Sequence, residues 1–465
     1  MPTLPGIMHR LLPAVVLACL PAACLAQVAA PTPQADDAGV RKAAVFTHGQ
    51  LKMVALMRGE CVRHFPADAS RIDAAISTYR AQDQRVISVA ERYWLGLAAR
   101  SPDGADVYEN SLANAIRKWV PATLVDDAAR STAHRACEDY FGALVEVQAR
   151  RQNNPDRVLL RSAPACENGE HQVPFCVDTS LLADARRAFH TATGPSATGG
   201  DDLPTPPAGV FDRVQYPSPA GRLAAWRTTP TKDGRRHPAI VWITGGDSNT
   251  LDEVWKPRPR DNDQTAAAYR LAGIVTMFPS LRGGNRNPGR HEGWYGEVDD
   301  ILAAADWLAA QPDVDPERIY LGGHSTGGTL VLLTAEVSAR FRAVFAFGPV
   351  ANPMMYGQDL APLLPAKADP REVTLRSPAL WLAQVRSDTF VIEGEDSPGN
   401  IGELNVMRAL SSNPKTHFLG VRGATHFSVL APANALIARR ILADGPDSAG
   451  VALDEAALAA AVAAR

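Results

Sequence analysis

The chain has 465 residues, with 47 basic against 50 acidic side chains and a 46% share of hydrophobic residues. This length allows a large core and favours two domains rather than one. The nearly balanced charge favours neither nucleic acid nor an anionic membrane surface as a partner.

Residues 1–26 have the pattern of an export signal. His9 and Arg10 precede an apolar run at 11–20, and small residues then lead to Ala26. The apolar run is too short to span a bilayer. We therefore predict cleavage after Ala26 and a periplasmic or secreted protein without a transmembrane segment. The alternative is a lipid anchor on Cys24.

Residues 38–150 are predicted to form a helical domain. After a spacer rich in Pro and Ala at 27–34, stretches such as 70–100 and 131–151 carry apolar residues at spacings of three and four. This is the periodicity of amphipathic helices. Residues 151–209 are rich in Pro, Gly, Thr and Asp, which predicts a linker.

Four cysteines remain once the leader is removed, at Cys61, Cys137, Cys166 and Cys176. In an oxidising compartment such cysteines form disulfides. We predict the pairs Cys61–Cys137 in the helical domain and Cys166–Cys176 in the linker, because each pair lies in one region. The chain has neither a Cys-x-x-Cys nor a His-Glu-x-x-His motif, so no metal site is predicted.

From residue 210 to 445, short apolar runs alternate with helical patterns. Strands are expected at 211–216, 223–228, 239–244, 273–278, 318–322, 342–347, 389–394 and 416–421, with helices at 264–271, 297–310, 328–338, 402–411 and 433–443. This alternation predicts an α/β fold with a doubly wound, mostly parallel sheet. The alanine-rich residues 453–465 form a terminal helix or a frayed end.

The sequence Gly-His-Ser-Thr-Gly at 323–327 stands between a predicted strand and a predicted helix. A Gly-x-Ser-x-Gly string in this context is a nucleophile elbow, which lifts the hydroxyl of Ser325 clear of the sheet. Side chains at the two outer positions would collide with the neighbouring strand and helix, so glycine is required there.

An oxyanion hole is predicted from two backbone N–H groups. The stretch 238–247 is an apolar run that ends in the glycine pair 245–246, and this is where one donor belongs, at Gly246. The second donor is the N–H of Thr326, directly after the nucleophile. Together they would face the oxygen that becomes negative in a tetrahedral intermediate.

His426 is the predicted general base. It lies in a loop after the last predicted strand, from which its imidazole can reach the serine. Most other histidines precede the elbow or lie within a strand and are expected to be structural or solvated. His291 and His324 lie close to the site in sequence but not where the base is needed.

The acid that orients the imidazole is expected after the strand 389–394. We predict Asp396 for this role, with Glu395 as the alternative, because both follow the strand end and preserve the chain order Ser, acid, His. Glu393, inside the strand, is expected to be structural.

With the strand, elbow, acid and histidine placed, residues 210–445 resemble the α/β-hydrolase superfamily, in its prolyl oligopeptidase and dienelactone hydrolase-like branch. Matching stretches lie at 272–275, 279–283, 296–301 and 314–319. The resemblance implies serine hydrolysis through an acyl-enzyme. The sequence departs from this branch in two respects. The branch usually has its acid three residues after the glycine that ends the strand, but that position after Gly394 is Ser397. Prolyl oligopeptidases also carry a β-propeller, and the helical first 150 residues show no such pattern.

We therefore expect an exported serine hydrolase that needs no cofactor and cleaves an ester or a peptide bond of a small molecule or peptide. Two alternatives stay open. One is a prolyl oligopeptidase-type peptidase, and the other is a catalytically silent fold that serves as a binding module.

Overall fold

The computed structural model describes residues 37–94 and 112–146 with short gaps, residues 157 and 160, 181–192, 201–353, 356, 370–411, and 413–464 without 446, 447 and 449. The predicted leader and the predicted Cys166–Cys176 pair lie outside the described residues. The chain divides into two units. One comprises Met1–Ser180 with Asn405–Ser412, and the other comprises Leu181–Leu404 with Asn413–Arg465.

The first unit is helical where it is described. Its helices include α1 (Asp37–His64), α2 (Ala69–Ala81) and α3 (Asp127–Glu146). Helix α2 buries one stripe of apolar side chains, formed by Ile72, Ala75, Ile76 and Tyr79, as helical periodicity requires. The predicted disulfide Cys61–Cys137 is confirmed and joins α1 to α3 with 5.8 Å between the Cα atoms.

Part of the predicted linker belongs to the second unit instead. Residues 182–187 form the short helix α4 (Leu182–Arg187), which the polar sequence did not reveal. Its Arg186 is buried, and its guanidinium donates hydrogen bonds to the carbonyls of Leu375, Trp294 and Tyr295. Because these carbonyls supply partners for a buried charge, a polar segment packs there.

The second unit is built on an eight-stranded sheet with the order β1-β2-β4-β3-β5-β6-β7-β8. Strands β1, β2 and β4 pair antiparallel, and the pairs from β4 through β3 to β8 are parallel. The predicted doubly wound, mostly parallel α/β fold is confirmed. The strands are Phe211–Ser218, Gly221–Thr228, His237–Ile243, Val275–Pro279, Val314–His324, Ala343–Phe347, Asp388–Gly394 and Thr416–Val421.

Helices flank this sheet and cover its apolar strands, which are buried almost throughout. The described helices after α4 are α5 (Ala267–Leu271), α6 (Glu297–Ala309), α7 (Thr326–Val337), α8 (Pro370–Thr374), α9 (Ile401–Leu410), α10 (Leu430–Ala443) and α11 (Glu455–Ala463). Helix α9 belongs to both units, because its residues from Asn405 onward are part of the first. Helix α11 resolves the alternatives for the alanine-rich tail, and Asp454 caps it through Ala457 N–H at 2.7 Å.

The carboxyl ends of the parallel strands meet at one edge of the sheet, where ligands bind in such folds. The loops after β3, β5, β7 and β8 leave the sheet at this edge, and they carry the residues predicted for the site. No helix in the described parts of the chain has both the length and the apolar character to cross a bilayer.

Candidate active site

Ser325 lies in the sharp turn between β5 and α7. Its backbone has φ 56° and ψ −117°, a region that costs a residue with a side chain about 1–3 kcal/mol. The Ser325 N–H donates to Phe347 O at 2.7 Å, which holds the turn against the end of β6. The serine is partly exposed, whereas its neighbours in the elbow are buried. The predicted nucleophile elbow is therefore present in the structure.

The glycines around Ser325 are required by close backbone contacts. A Cβ atom at Gly323 would lie 2.7 Å from Gly327 O, and one at Gly327 would lie 2.5 Å from the carbonyl oxygens of Ile243 and Thr244. At Gly328 it would lie 2.3 Å from Phe347 O. Contacts this short are not tolerated in packed protein. The elbow can form only because these positions have no side chain, as was predicted for the two outer glycines.

His426 lies in the loop after β8 and is anchored by its main chain and its ring. Its N–H donates to Pro398 O at 2.9 Å, and its Nδ1 lies 2.9 Å from Oε2 of Glu393. His426 is 8% exposed and Glu393 is 1% exposed. A carboxylate at Nδ1 fixes the tautomer in which Nε2 is unprotonated and can accept a proton.

The carboxylate at the imidazole is therefore Glu393, and the predicted acid, Asp396 or Glu395, is corrected. Asp396 is exposed and its main-chain N–H donates to Ala424 O. The carboxylate of Glu395 lies 3.5 Å from Arg422 Nε. Neither side chain is placed at His426 in this structure.

Glu393 reaches the imidazole from within β7 because its side chain is long and space is left for it. Gly348, just after β6, has φ 56°, and a Cβ atom there would lie 2.5 Å from Glu393 Oε2 and 2.3 Å from His426 Cε1. Oε1 of Glu393 accepts the N–H of Gly394 at 3.0 Å. The sequence did carry a signal, since an acidic residue at the end of a buried apolar strand needs a partner.

The two predicted oxyanion residues are held together by a short chain of hydrogen bonds. Thr326 Oγ1 donates to Gly246 O at 2.8 Å, and Ser248 Oγ donates to Thr326 Oγ1 at 2.8 Å. Thr326 is the first residue of α7, where a backbone N–H has no acceptor within the helix. The Thr326 side chain, for which no role was predicted, thus connects the loop after β3 to the elbow.

An aromatic pair supports the first turn of α7. Trp294 Nε1 donates to Thr326 O at 2.9 Å, and the indole stacks on the Tyr356 ring with 5.0 Å between centroids and 7° between planes. The Tyr356 hydroxyl lies 2.8 Å from Thr329 Oγ1 and also interacts with the Ser325 side chain. Burial raises the pKa of Tyr356, so the phenol stays protonated at neutral pH.

A cavity of about 370 Å³ opens beside the oxyanion residues, at the lower end of the range for small-ligand sites. Its wall includes Asp247, Ser248, His291, Trp294 and Leu330, together with Gly246 and Thr326. His291 therefore lines the site, whereas His324 is 2% exposed and lies behind it. In the described part of the chain, no group of three or more His, Cys, Asp or Glu is placed to hold a metal ion.

The strand order, with its antiparallel edge and a serine elbow between β5 and α7, is that of the α/β-hydrolase fold. The chain is a serine hydrolase of this class. Residues 261–395 match the model of the prolyl oligopeptidase family.

Individual relatives cover different shares of the chain. An uncharacterized protein of Mycobacterium tuberculosis is 28% identical over 257 residues, 54% of this chain and 83% of that protein. Dipeptidyl-peptidase 5 of Porphyromonas gingivalis is 26% identical over 144 residues, 28% of this chain and 20% of that protein.

Two solved structures show the same spread in coverage. An esterase of Pyrobaculum calidifontis has a TM-score of 0.38 at 20% identity, over 51% of this chain and 87% of its own. An acylaminoacyl peptidase has a TM-score of 0.36 at 18% identity, over 50% of this chain and 40% of its own. The chain thus spans less than half of the length of either named peptidase.

Proposed function

We propose that this chain is an exported serine hydrolase that cleaves an ester or a peptide bond, with Ser325 as nucleophile, His426 as general base and Glu393 as the orienting acid. The observation that carries the proposal is the contact of 2.9 Å between His426 Nδ1 and a buried glutamate, beside a serine held at φ 56°. No cofactor enters this chemistry.

The reaction follows from the roles of these atoms. Ser325 Oγ attacks the carbonyl carbon of the substrate and transfers its proton to His426 Nε2. The buried carboxylate of Glu393 stabilises the imidazolium that forms. The carbonyl oxygen becomes negative and is stabilised by the N–H groups of Gly246 and Thr326. Collapse expels the alcohol or amine, which takes the proton from His426, and water then hydrolyses the acyl-enzyme by the same steps.

The bond type is the main open choice within this proposal. The match to the prolyl oligopeptidase family and the likeness to dipeptidyl-peptidase 5 support a peptide bond. The cavity of about 370 Å³ beside Gly246 and Thr326 is also of a size that suits a small acyl group. Measuring kcat/KM for a panel of acyl esters and aminoacyl amides with one enzyme preparation shows which of the two bond types is cleaved more efficiently.

The test of the mechanism is covalent labelling. A fluorophosphonate probe should label the wild-type chain at Ser325, and the Ser325→Ala variant should stay unlabelled with its fold retained. Removal of a nucleophilic serine costs on the order of 10⁶ in turnover in a related chemistry. A wild-type protein that folds but takes no label would identify a silent binding module instead.

Export is proposed from the leader pattern and is supported by the Cys61–Cys137 disulfide, since such bonds persist in oxidising compartments. Mass spectrometry of the protein from its native host should find Gln27 as the first residue. A chain that retains Met1 would contradict export, and a lipid on Cys24 would indicate the anchored form.

A further inference from the structure

His324 fills the free position before the nucleophile, and its ring points away from solvent toward His426. Its Nε2 lies 3.2 Å from His426 O, and the two imidazole rings are 4.4 Å apart at 43°. A carbonyl oxygen only accepts hydrogen bonds, so Nε2 of His324 carries the hydrogen. One histidine thus donates to the main chain of the other.

The other nitrogen of His324 has no hydrogen-bond partner among the described residues. It faces the loop after β3, where a Cβ atom at Gly245 would lie 2.9 Å from His324 Nδ1. In the neutral tautomer with hydrogen on Nε2, Nδ1 is an acceptor and leaves no donor buried without an acceptor. A doubly protonated ring would force an N–H against this backbone.

The charge state of His324 agrees with this geometry. Burial, together with the nearby imidazole of His426, lowers the pKa of His324 to about 3. The ring therefore stays neutral at neutral pH and keeps a single N–H for the carbonyl of His426.

With this contact, His426 is held at three points. Its N–H donates to Pro398 O, its ring Nδ1 meets Glu393, and its carbonyl accepts from His324. The first comes from the loop after β7 and the second from β7 itself. The third comes from the residue next to Ser325, so it connects the base directly to the nucleophile turn.

We infer that His324 is a positioning residue of this site, whose Nε2–H holds the main chain of His426 at a fixed distance from Ser325. The inference rests on the proposed function and extends it to a residue that touches no substrate atom. Displacement of a catalytic group by about 1 Å costs on the order of 100-fold in rate, so the effect should appear in turnover.

The test compares two variants of matched length. In His324→Gln, the amide nitrogen occupies the place of Nε2 and can donate to the same carbonyl. In His324→Met, the chain length is kept and the donor is lost. We expect kcat to fall about 10- to 100-fold in the Met variant with KM within about 2-fold of wild type, and the Gln variant to retain kcat within a few-fold.

Fluorophosphonate labelling rates, normalised to folded protein by circular dichroism, separate positioning from folding. Equal losses in both variants, or a Met variant with wild-type kcat, would overturn the inference while the wild type still labels at Ser325. A wild type that does not label overturns the proposed function as well. If His324→Met fails to fold, His324→Asn replaces it. The amide nitrogen of asparagine matches the position of Nδ1 rather than Nε2, so this variant also lacks the donor to the His426 carbonyl.

Discussion

The two sides of the candidate active site are held in place by different means. On the nucleophile side, formed by β5, Ser325 and α7, missing side chains at glycine positions let backbones approach each other closely. On the base side, formed by the end of β7 and the loops after β7 and β8, side-chain and main-chain hydrogen bonds fix Glu393 and His426. The nucleophile side should therefore be sensitive to added volume, and the base side to lost hydrogen bonds at unchanged volume.

The two sides also differ in the hydrogen bonding of a buried glutamate on each. Glu393 on the base side has His426 and the Gly394 N–H as partners. Glu336, near the end of α7, has no hydrogen-bond partner for either oxygen among the described residues. A partnered buried acid can perform chemistry, whereas one without a partner costs stability. Substituting each by glutamine therefore separates turnover from stability.

The largest effect is expected from Glu393→Gln. The amide has the shape of the carboxylate but cannot stabilise the imidazolium, so turnover should fall on the order of 10⁴-fold with little change in the unfolding temperature. Steady-state kinetics and thermal unfolding measure the two quantities.

Asp396→Asn and Glu395→Gln are the matched controls for this prediction and should keep turnover within a few-fold. A large loss in either control, with Glu393→Gln active, would return the acid to the position that the sequence suggested.

The next largest effect is expected from Gly327→Ala on the nucleophile side. The new methyl group would lie 2.5 Å from the carbonyl oxygens of Ile243, at the end of β3, and Thr244, the residue after it. Overpacking of this kind costs about 3 kcal/mol. Chemical denaturation should show a lower free energy of unfolding, and labelling of Ser325 should slow in the folded fraction.

Gly402→Ala in α9 is the control, because a Cβ atom there meets nothing within 4 Å and its φ is not left-handed. Its stability should be unchanged or up to about 1 kcal/mol higher. Equal stabilities for the two alanine variants would contradict the steric account of the elbow.

The smallest effect is expected from Glu336→Gln, and it depends on pH. Burial raises the pKa of Glu336 well above its ordinary value near 4.5. The unfolded chain therefore loses the Glu336 proton at lower pH than the folded chain does, and stability falls as pH rises above the ordinary value. The Gln variant should be about 2 kcal/mol more stable at pH 8 and equal to wild type near pH 4.

Thermal unfolding at both pH values measures this difference, with turnover at pH 8 as the control for the site. A lower unfolding temperature of the Gln variant at pH 8 would show that the carboxylate has a stabilising partner.

Local pattern was sufficient for the sheet and for the sharp turn at Ser325. Each of the eight strands was expected from a short apolar run, and the elbow from a five-residue motif whose glycines are dictated by nearby backbone. Ser325 directly follows β5 and His426 lies in the loop after β8, so both were expected where the carboxyl ends of the parallel strands meet.

The acid and His324 could not be placed in this way. Whether Glu393 or Asp396 meets His426 depends on the path of the loop after β8 and on the space left by Gly348, which is distant in sequence. Similarly, the contact from His324 to the His426 carbonyl joins residues 102 positions apart. The helix of Arg186 was missed because its buried charge is satisfied by carbonyls from other segments.

The stacked pair of Trp294 and Tyr356 gives this protein an optical reporter of its own. The indole of Trp294 lines the cavity and donates to the residue after the nucleophile, whereas Trp226, Trp242 and Trp381 are fully enclosed. Indole emission depends on the polarity around the ring, so a ligand that enters the cavity changes the emission of Trp294 and leaves that of the enclosed rings constant. The difference spectrum between the wild type and Trp294→Phe therefore isolates this signal from the eight tryptophans of the chain and reports occupancy without a label.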